Sequence, residues 1–317
     1  MHFRVLRDDK GGVLISAMLI VSLVASIVLL LFSQAMGMQR QMFNQSIRLQ
    51  GYYAHLGIEQ MAAHQLQKLW ADSPSNFSLL DEIESEDIQG MNISYRLSDA
   101  SSCINLNALD TEGLGIPNML DENQMRNMLN QTLIEFSNRD TLIDSLFDWL
   151  DSDNQMRTNG AENIYYLSQH NPYLPANTWL ASIDELSLIR GFTREHIEAL
   201  SQLFCTLPSN IQPQINVHSL NESNYEVITL LSDGKIDNNG ALSIIRGNAS
   251  NRLSMIERSL GQARGRTETF NPFGTQSNFI SLITFISFDN QEQSIESLFE
   301  LEGDGSVTLK HRAFGGI

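Results

Sequence analysis

The sequence predicts an α+β protein: one very long N-terminal helix packed on a small antiparallel sheet, with a large all-helical insertion between the strands. Three patterns carry that expectation. Residues 13–32 (VLISAMLIVSLVASIVLLLF) hold no charge, and the helical pattern they begin meets no proline until Pro74. Short segments at 91–97, 278–287, 295–301 and 307–312 read as strands, the first with the alternation of a half-buried one. Between the first segment and the others, residues 110–207 switch to apolar spacings of three and four.

The apolar run has the length, about 20 residues, that a helix needs to cross a hydrocarbon core of about 30 Å. Arg4, Arg7 and Lys10 precede it, then Gly11 and Gly12, and the next basic residue is Arg40. This asymmetry puts the N-terminus in the cytoplasm and the bulk on the far side of the membrane. A cleaved secretory signal has a shorter apolar core, about 7–15 residues, and a small-residue cut site. The nearest candidate for such a site, Ala35-Met36-Gly37, is poor. Further on, Leu49, Tyr52, Leu56, Ala63, Leu66 and Trp70 fall on one face. Residues 13–72 therefore read as one helix, roughly 90 Å long at 1.5 Å per residue. Its first part, 13–32, is apolar all round, and 33–72 is amphipathic. The turn DSPSN at 72–76 ends it.

Residues 73–109 supply the first part of the sheet: an acidic, turn-rich stretch to Gly90, the strand at 91–97, and INLNAL at 104–109. The helical insertion follows at 110–207. Asp121 caps a helix bearing Met125, Met128, Leu129, Leu133 and Phe136, and a second carries Leu142, Ile143, Leu146, Phe147 and Leu150. Ser182-Ile183-Asp184-Glu185 is a capping box opening a third. Gly191 closes that helix, and Thr193 caps a fourth with Ile197, Leu200, Leu203 and Phe204 on its apolar face. Residues 208–317 form the second part of the sheet, with helices near 222–232 and 240–260. INVHSL at 215–220 echoes INLNAL at 104–109, and the two are expected to pair.

The chain has 20 Lys and Arg against 37 Asp and Glu, a formal net charge of −17, which argues against nucleic acid as a partner. A hydrophobic content of 42% supplies a core, so the exported part is not a disordered tail. The two cysteines, Cys103 and Cys205, lie beyond the apolar run. In an oxidising compartment such a pair forms a disulfide; two buried thiols are the other reading.

One acidic stretch has metal-ligand spacing. Asp151, Asp153, Gln155 and Glu162 occupy positions 1, 3, 5 and 12 of a calcium loop, with Met156 where the usual glycine would be. Asp148 and Asn163 add oxygen. The same residues also read as a solvated acidic turn. The seven histidines show no metal spacing, and no G-x-S-x-G is present. Residues 184–200 have a helix-hairpin-helix outline, but the turn Gly191-Phe192-Thr193 lacks the second glycine that grips a DNA backbone. Packing is the reading taken, with a membrane-anchored helix-hairpin-helix protein of another pilus-like or DNA-uptake machine as the alternative, and a membrane-anchored hydrolase using the cluster at 148–162 behind it. Phe43, Tyr52, Tyr53 and Trp70 are read as core or subunit contacts.

A short basic leader ending in glycine, an apolar helix start and a long amphipathic continuation resemble the type IV pilins and pseudopilins. The resemblance implies a leader at 1–12, cut by a prepilin peptidase between Gly12 and Val13, with methylation accompanying it. Most pilins carry a glutamate five residues into the mature chain; here that position is Ala17. A carboxylate inside a membrane costs at least about 2.5 kcal/mol and needs a partner. A subunit without it suits the end of a fibre, where no neighbouring subunit answers it. NLNAL at 105–109, DWLDSD at 148–153, GAENIYY at 160–166, NPYLPAN at 171–177, SIDELSLIRGFTREHIEAL at 182–200 and INVHSL at 215–220 narrow the likeness to the protein K family, the large minor pseudopilins of type II secretion systems. His218 stands where that family tends to have asparagine. The resemblance implies a pilin-like fold, a non-enzymatic role at the pseudopilus tip, and an inner-membrane anchor with the bulk in the periplasm. It implies I- and J-type minor pseudopilins and the major pseudopilin as partners. It also favours structural Ca2+ held among Asp148, Asp151, Asp153, Glu162 and Asn163.

Overall fold

The computed structural model describes residues 10–72, 84–88, 91–116, 118–263, 271–288 and 291–315. The first nine residues of the expected leader and the turn residues 73–76 lie outside these. Helix α1 runs unbroken over Lys10–Asp72, 63 residues, or about 95 Å. From residue 12 to residue 46 every side chain is exposed, and this part holds a window of mean hydropathy 2.9. An apolar, exposed helix over residues 13–32 is what a single-pass anchor requires.

Five strands make the main sheet: β1 (Glu84–Ile88), β2 (Met91–Asp99), β7 (Phe279–Phe288), β8 (Gln291–Leu301) and β9 (Val307–Gly315). They lie in the order β1-β2-β7-β8-β9, every neighbouring pair antiparallel. The sequence does not announce β1: ESEDI, with three carboxylates in five residues, reads as a turn, and it is held as an edge strand by backbone pairing with β2. Edge strands tolerate such charge because one side of their ladder faces water.

The lower half of α1 lies across the sheet. Its buried stripe is Ile47, Gly51, His55, Glu59, Ala62 and Leu66. This corrects the expected face at one end: Leu49 is 54% exposed, and Tyr52 and Leu56 flank the stripe instead of centring it. The reason is polar burial, since His55 and Glu59 turn inward and pull the face round. Ala62 and Leu66 pack with Ile280, Leu282, Phe299 and Leu301, and a second cluster joins Met91, Ile93, Ile286 and Ile295. At Gly51 a Cβ would lie 3.2 Å from the Ile286 side chain, so glycine lets helix and sheet approach.

Between β2 and β7 the chain builds a body of helices: α2 (Glu122–Thr132), α3 (Arg139–Leu150), α4 (Asn163–Leu167), α5 (Arg194–Ser201), α6 (Glu226–Leu231), α7 (Asn238–Arg246) and α8 (Arg252–Ala263). Asp121 closes a capping box with Gln124 on α2, and Thr193 does so with His196 on α5. The expected third helix is a 3-10 helix, Ile183–Leu188, and the expected box is not closed: Glu185 accepts instead from Trp149 Nε1 at 3.0 Å and Ala181 N at 2.9 Å. Gly191, at φ 86°, makes the turn after it.

The body's boundary differs from the expected 110–207. One core runs from Ile104 and Leu106 through Phe147, Leu200 and Ile215 to Ile256, Leu260 and Phe273. Residues 208–263 thus pack with the helices and not with the sheet. Nor do the two echoing segments pair with each other. β3 (Ile104–Asn105) runs parallel to β4 (Phe204–Cys205), and β5 (Ile215–Asn216) runs parallel to β6 (Phe273–Gly274). The echo is local. Asn105 Oδ1 accepts from Asn107 N at 3.1 Å, and Asn216 Oδ1 accepts from His218 N at 3.0 Å. Each asparagine ends a two-residue strand by turning the chain with its own side chain.

Candidate functional site

Three constructions bear on function: a polar clamp under the rod, a neck between sheet and body, and a carboxylate cluster on the body.

The clamp comes from α1 and the last strands. His55 and Glu59, one helical turn apart, face the sheet. Ser297 Oγ donates to Glu59 Oε2 at 2.7 Å, and Arg312 grips both Glu59 oxygens at 2.6 and 2.7 Å. With the Ser297 hydroxyl donating to Glu59, His55 Nε2 donates to Ser297 Oγ at 2.8 Å and Nδ1 accepts from Thr284 Oγ1 at 2.9 Å. Burial lowers the imidazole's affinity for a proton, against the pull of the Glu59 charge. Burial pushes the Glu59 carboxyl up, but the bonds from Arg312 and Ser297 outweigh it and hold the group below its usual range. None of these five residues is marked as a site by the sequence pattern. The one local signal was His55 and Glu59 at a spacing of four; nothing near Arg312 announces its partner.

The neck is stitched by Cys103–Cys205, whose Cα atoms are 5.8 Å apart, and by buried amides. Asn107 donates to Leu180 O and Leu207 O, both at 2.9 Å, and accepts from Leu180 N at 2.8 Å. Asn216 donates to Ser277 Oγ, which donates to Asp99 at the end of β2. These side chains replace the ladder that irregular buried backbone lacks.

The cluster forms where α3 runs out into the loop 151–162. Asp144, Asp148 and Asp151 follow one another at steps of four and three, and all are buried. Arg157 reaches back from the loop. Its Nη1 bonds Asp148 Oδ1 at 2.9 Å and also Asp151 Oδ2, and its Nη2 bonds Glu122 Oε2 at 3.1 Å. Arg126 answers Asp144 at 2.8 Å and Glu122 at 3.1 Å, and both guanidiniums lie over the Phe147 ring. Gly160 is required here, since a Cβ on it would collide with the Asp148 carboxylate.

The structure draws Asp151, Asp153 and Glu162 together, one carboxylate oxygen of each within 4.8 Å of the others. Asp148 is outside this group and is held by Arg157, and the Asn163 amide bonds Asn154. Asp153 is exposed and accepts from Gln155 N at 2.6 Å. Asp151 Oδ1 and both oxygens of Glu162 are buried with no hydrogen-bond partner among the described residues. Burial, then the charges of Asp148 and Asp151, push the Glu162 carboxyl up to about 7; the Asn163 N–H pulls the other way without reaching hydrogen-bond geometry. Burial also raises Asp148 and Asp151 despite Arg157. Buried carboxylate oxygens without donors are costly, and hard oxygens converging from three side chains are the donor set of Ca2+ or Mg2+. The residues fit a divalent cation. The sequence reading picked out Asp151, Asp153 and Glu162 but passed over Arg157, the lone basic residue of the stretch 148–162.

At the hairpin, Arg194 is paired with Glu198 at 2.7 Å.

Residues 102–209 match the family model described as Type II secretion system (T2SS), protein K. Type II secretion system protein K of Aeromonas hydrophila is 25% identical over 97% of this chain and 98% of its own. That of Klebsiella pneumoniae is 26% identical over 80% and 81%. Among solved structures, the GspK-GspI-GspJ complex from the type 2 secretion system of enterotoxigenic Escherichia coli contains a matching chain. Its TM-score is 0.60 at 21% identity, covering 85% of this chain and 99% of that one, a likeness of fold.

Proposed function

We propose that the protein, whose residues 102–209 match the type II secretion protein K model and which is similar over 97% of its length to protein K of Aeromonas hydrophila, is a minor pseudopilin at the tip of the pseudopilus. There it starts assembly and caps the filament that drives proteins across the outer membrane. The observation that carries this reading is geometric: a body spanning residues 100–278 is inserted between two neighbouring strands of a sheet mounted on a single rod. A head so much wider than its stem leaves no room for a further subunit above it, while the exposed rod is free to bundle below.

The rod's first part anchors the protein in the inner membrane, N-terminus inside and body in the periplasm, after prepilin peptidase cleaves between Gly12 and Val13. I- and J-type minor pseudopilins are the partners, a reading supported by the GspK-GspI-GspJ complex to which the matching chain belongs, with the major pseudopilin beneath. Function rests on shape, not bond-breaking. His55, Ser297 and Glu59 are mutually bonded but enclosed, and the serine proton is committed to Glu59. Ca2+ held by Asp151, Asp153 and Glu162 would staple the loop to α3 and α4.

The test has two parts. The mass of the purified protein should place its N-terminus at Val13, and co-expression with I- and J-type subunits should yield a complex. An intact leader, or a chain that stays alone and whose deletion leaves secretion normal, overturns the reading. Calcium should raise the melting temperature of EDTA-treated protein, and no shift would dismiss the metal.

A further inference from the structure

The carboxylate cluster already contains a cation of its own, the Arg157 guanidinium, and the way it is shared is informative. On Asp148 and Glu122 it answers carboxylates that are not part of the converging group of Asp151, Asp153 and Glu162. On Asp151 it takes Oδ2 alone, leaving Oδ1 buried and without a donor. Asp151 also offers one carboxylate oxygen to the group completed by Asp153 and Glu162, and Oδ1 is the oxygen that Arg157 leaves open. A carboxylate gripped through one oxygen is no longer free to rotate, so the other oxygen is held in place. The backbone N of Arg157 donates to the Asp148 carboxylate at 3.2 Å, which fixes the base of the loop.

We propose that Arg157 is a positioning residue for the divalent cation: it occupies Asp148 and turns Asp151 so that one oxygen faces Asp153 and Glu162. The proposal rests on the calcium reading above and goes beyond it, because it gives a positive side chain a supporting role in binding a positive ion. By charge alone, removing Arg157 would tighten calcium binding. By orientation, removing it loosens binding, since Asp148 is then uncommitted and Asp151 is free to rotate its oxygen out of the group it forms with Asp153 and Glu162. Partners that hold a metal's ligands in place typically carry 10–100-fold in affinity. Arg126 provides the control. It too lies over Phe147 and binds Glu122, but its other partner is Asp144, and it touches none of the three converging carboxylates.

The experiment is calorimetric titration of CaCl2 into the EDTA-treated full-length chain in detergent, for wild type, Arg157→Gln, Arg157→Lys and Arg126→Lys. Wild type should bind. Arg157→Gln should bind at least about tenfold more weakly, and Arg157→Lys should also weaken, because a lysine keeps the charge but loses the fork. Arg126→Lys should bind as wild type does. If Arg157→Gln does not fold, Arg157→Lys decides the matter, with circular dichroism confirming its helix content. Unchanged or tighter binding in the Arg157 variants overturns the proposal while leaving the calcium reading intact. Equal weakening in Arg126→Lys overturns it as well, by making the effect one of general stability. No binding by wild type removes both.

Discussion

Among the described residues of this acidic chain two places bury carboxylates, and they are finished differently. Under the rod, each Glu59 oxygen has an arginine donor and one also has a serine, and the group is held below its usual pKa. On the body, Glu162 is as deeply buried with neither oxygen bonded, and its carboxyl is pushed up to about 7. Desolvation acts on both. What separates them is whether the chain supplies the compensating donors itself. The clamp is complete as folded and fixes how the sheet sits on the helix, whereas the cluster keeps carboxylate oxygens without donors.

The largest expected effect breaks the complete side. Arg312→Leu leaves Glu59 buried without its ion partner and should cost about 3 kcal/mol in urea unfolding, the low end for a broken buried pair because part of Arg312 meets solvent. Replacing both, Glu59→Leu with Arg312→Leu, should recover most of that loss. A double variant no better than the single one would mean the clamp matters through packing.

Gly160→Ala probes the other side. A methyl pressed against Asp148 should cost about 1–3 kcal/mol as an overpacked site, read as a lower melting temperature, and should weaken calcium uptake too.

Acid separates the two by sign. Glu59 has a depressed folded pKa, so its contribution is present above the unfolded value of about 4.3 and is lost as pH falls through the folded one. His55, also depressed, removes stability in the same direction once pH drops below about 6.5. Glu162 behaves oppositely. Its raised value means no cost below about 4.3 and a growing one as pH climbs to about 7. In EDTA, Glu162→Gln should therefore gain in melting temperature relative to wild type between pH 5 and 7.5, and calcium should cancel the difference. A pH-independent difference would contradict the assignment.

The smallest effect is Asp153→Asn. As an exposed residue it should leave metal-free stability within about 0.5 kcal/mol yet lower calcium affinity. Unchanged affinity would place the ion elsewhere.

Much of this architecture was legible in the residues. The rod is written in an unbroken run without proline, and α2 and α5 begin at Asp121 and Thr193 as their capping chemistry requires. Long-range pairing was not. INLNAL and INVHSL carry the same local turn, and periodicity reports such turns but not which strand lies alongside. The buried stripe was misjudged at Leu49 because His55 and Glu59 count as polar in any apolar pattern, while the groups that make their burial tolerable lie more than 200 residues away. In the cluster, the spacing of Asp151, Asp153 and Glu162 was visible. The place of Arg157 was not, since a basic residue among acids reads as ordinary surface until its burial is known.

The path of the chain through the sheet has a last consequence. Asp99 and Ile280 are partners in register on adjacent antiparallel strands, so the chain departs and returns at the same edge of one ladder. Deleting everything between would turn β1, β2, β7, β8 and β9 into a plain up-and-down meander, each strand beside its sequence neighbour. In topological terms the whole head is an overgrown hairpin loop. A gene could enlarge, trim or exchange such a loop without reordering one strand beneath it, which gives a slender fibre subunit a simple route to a broad end-piece.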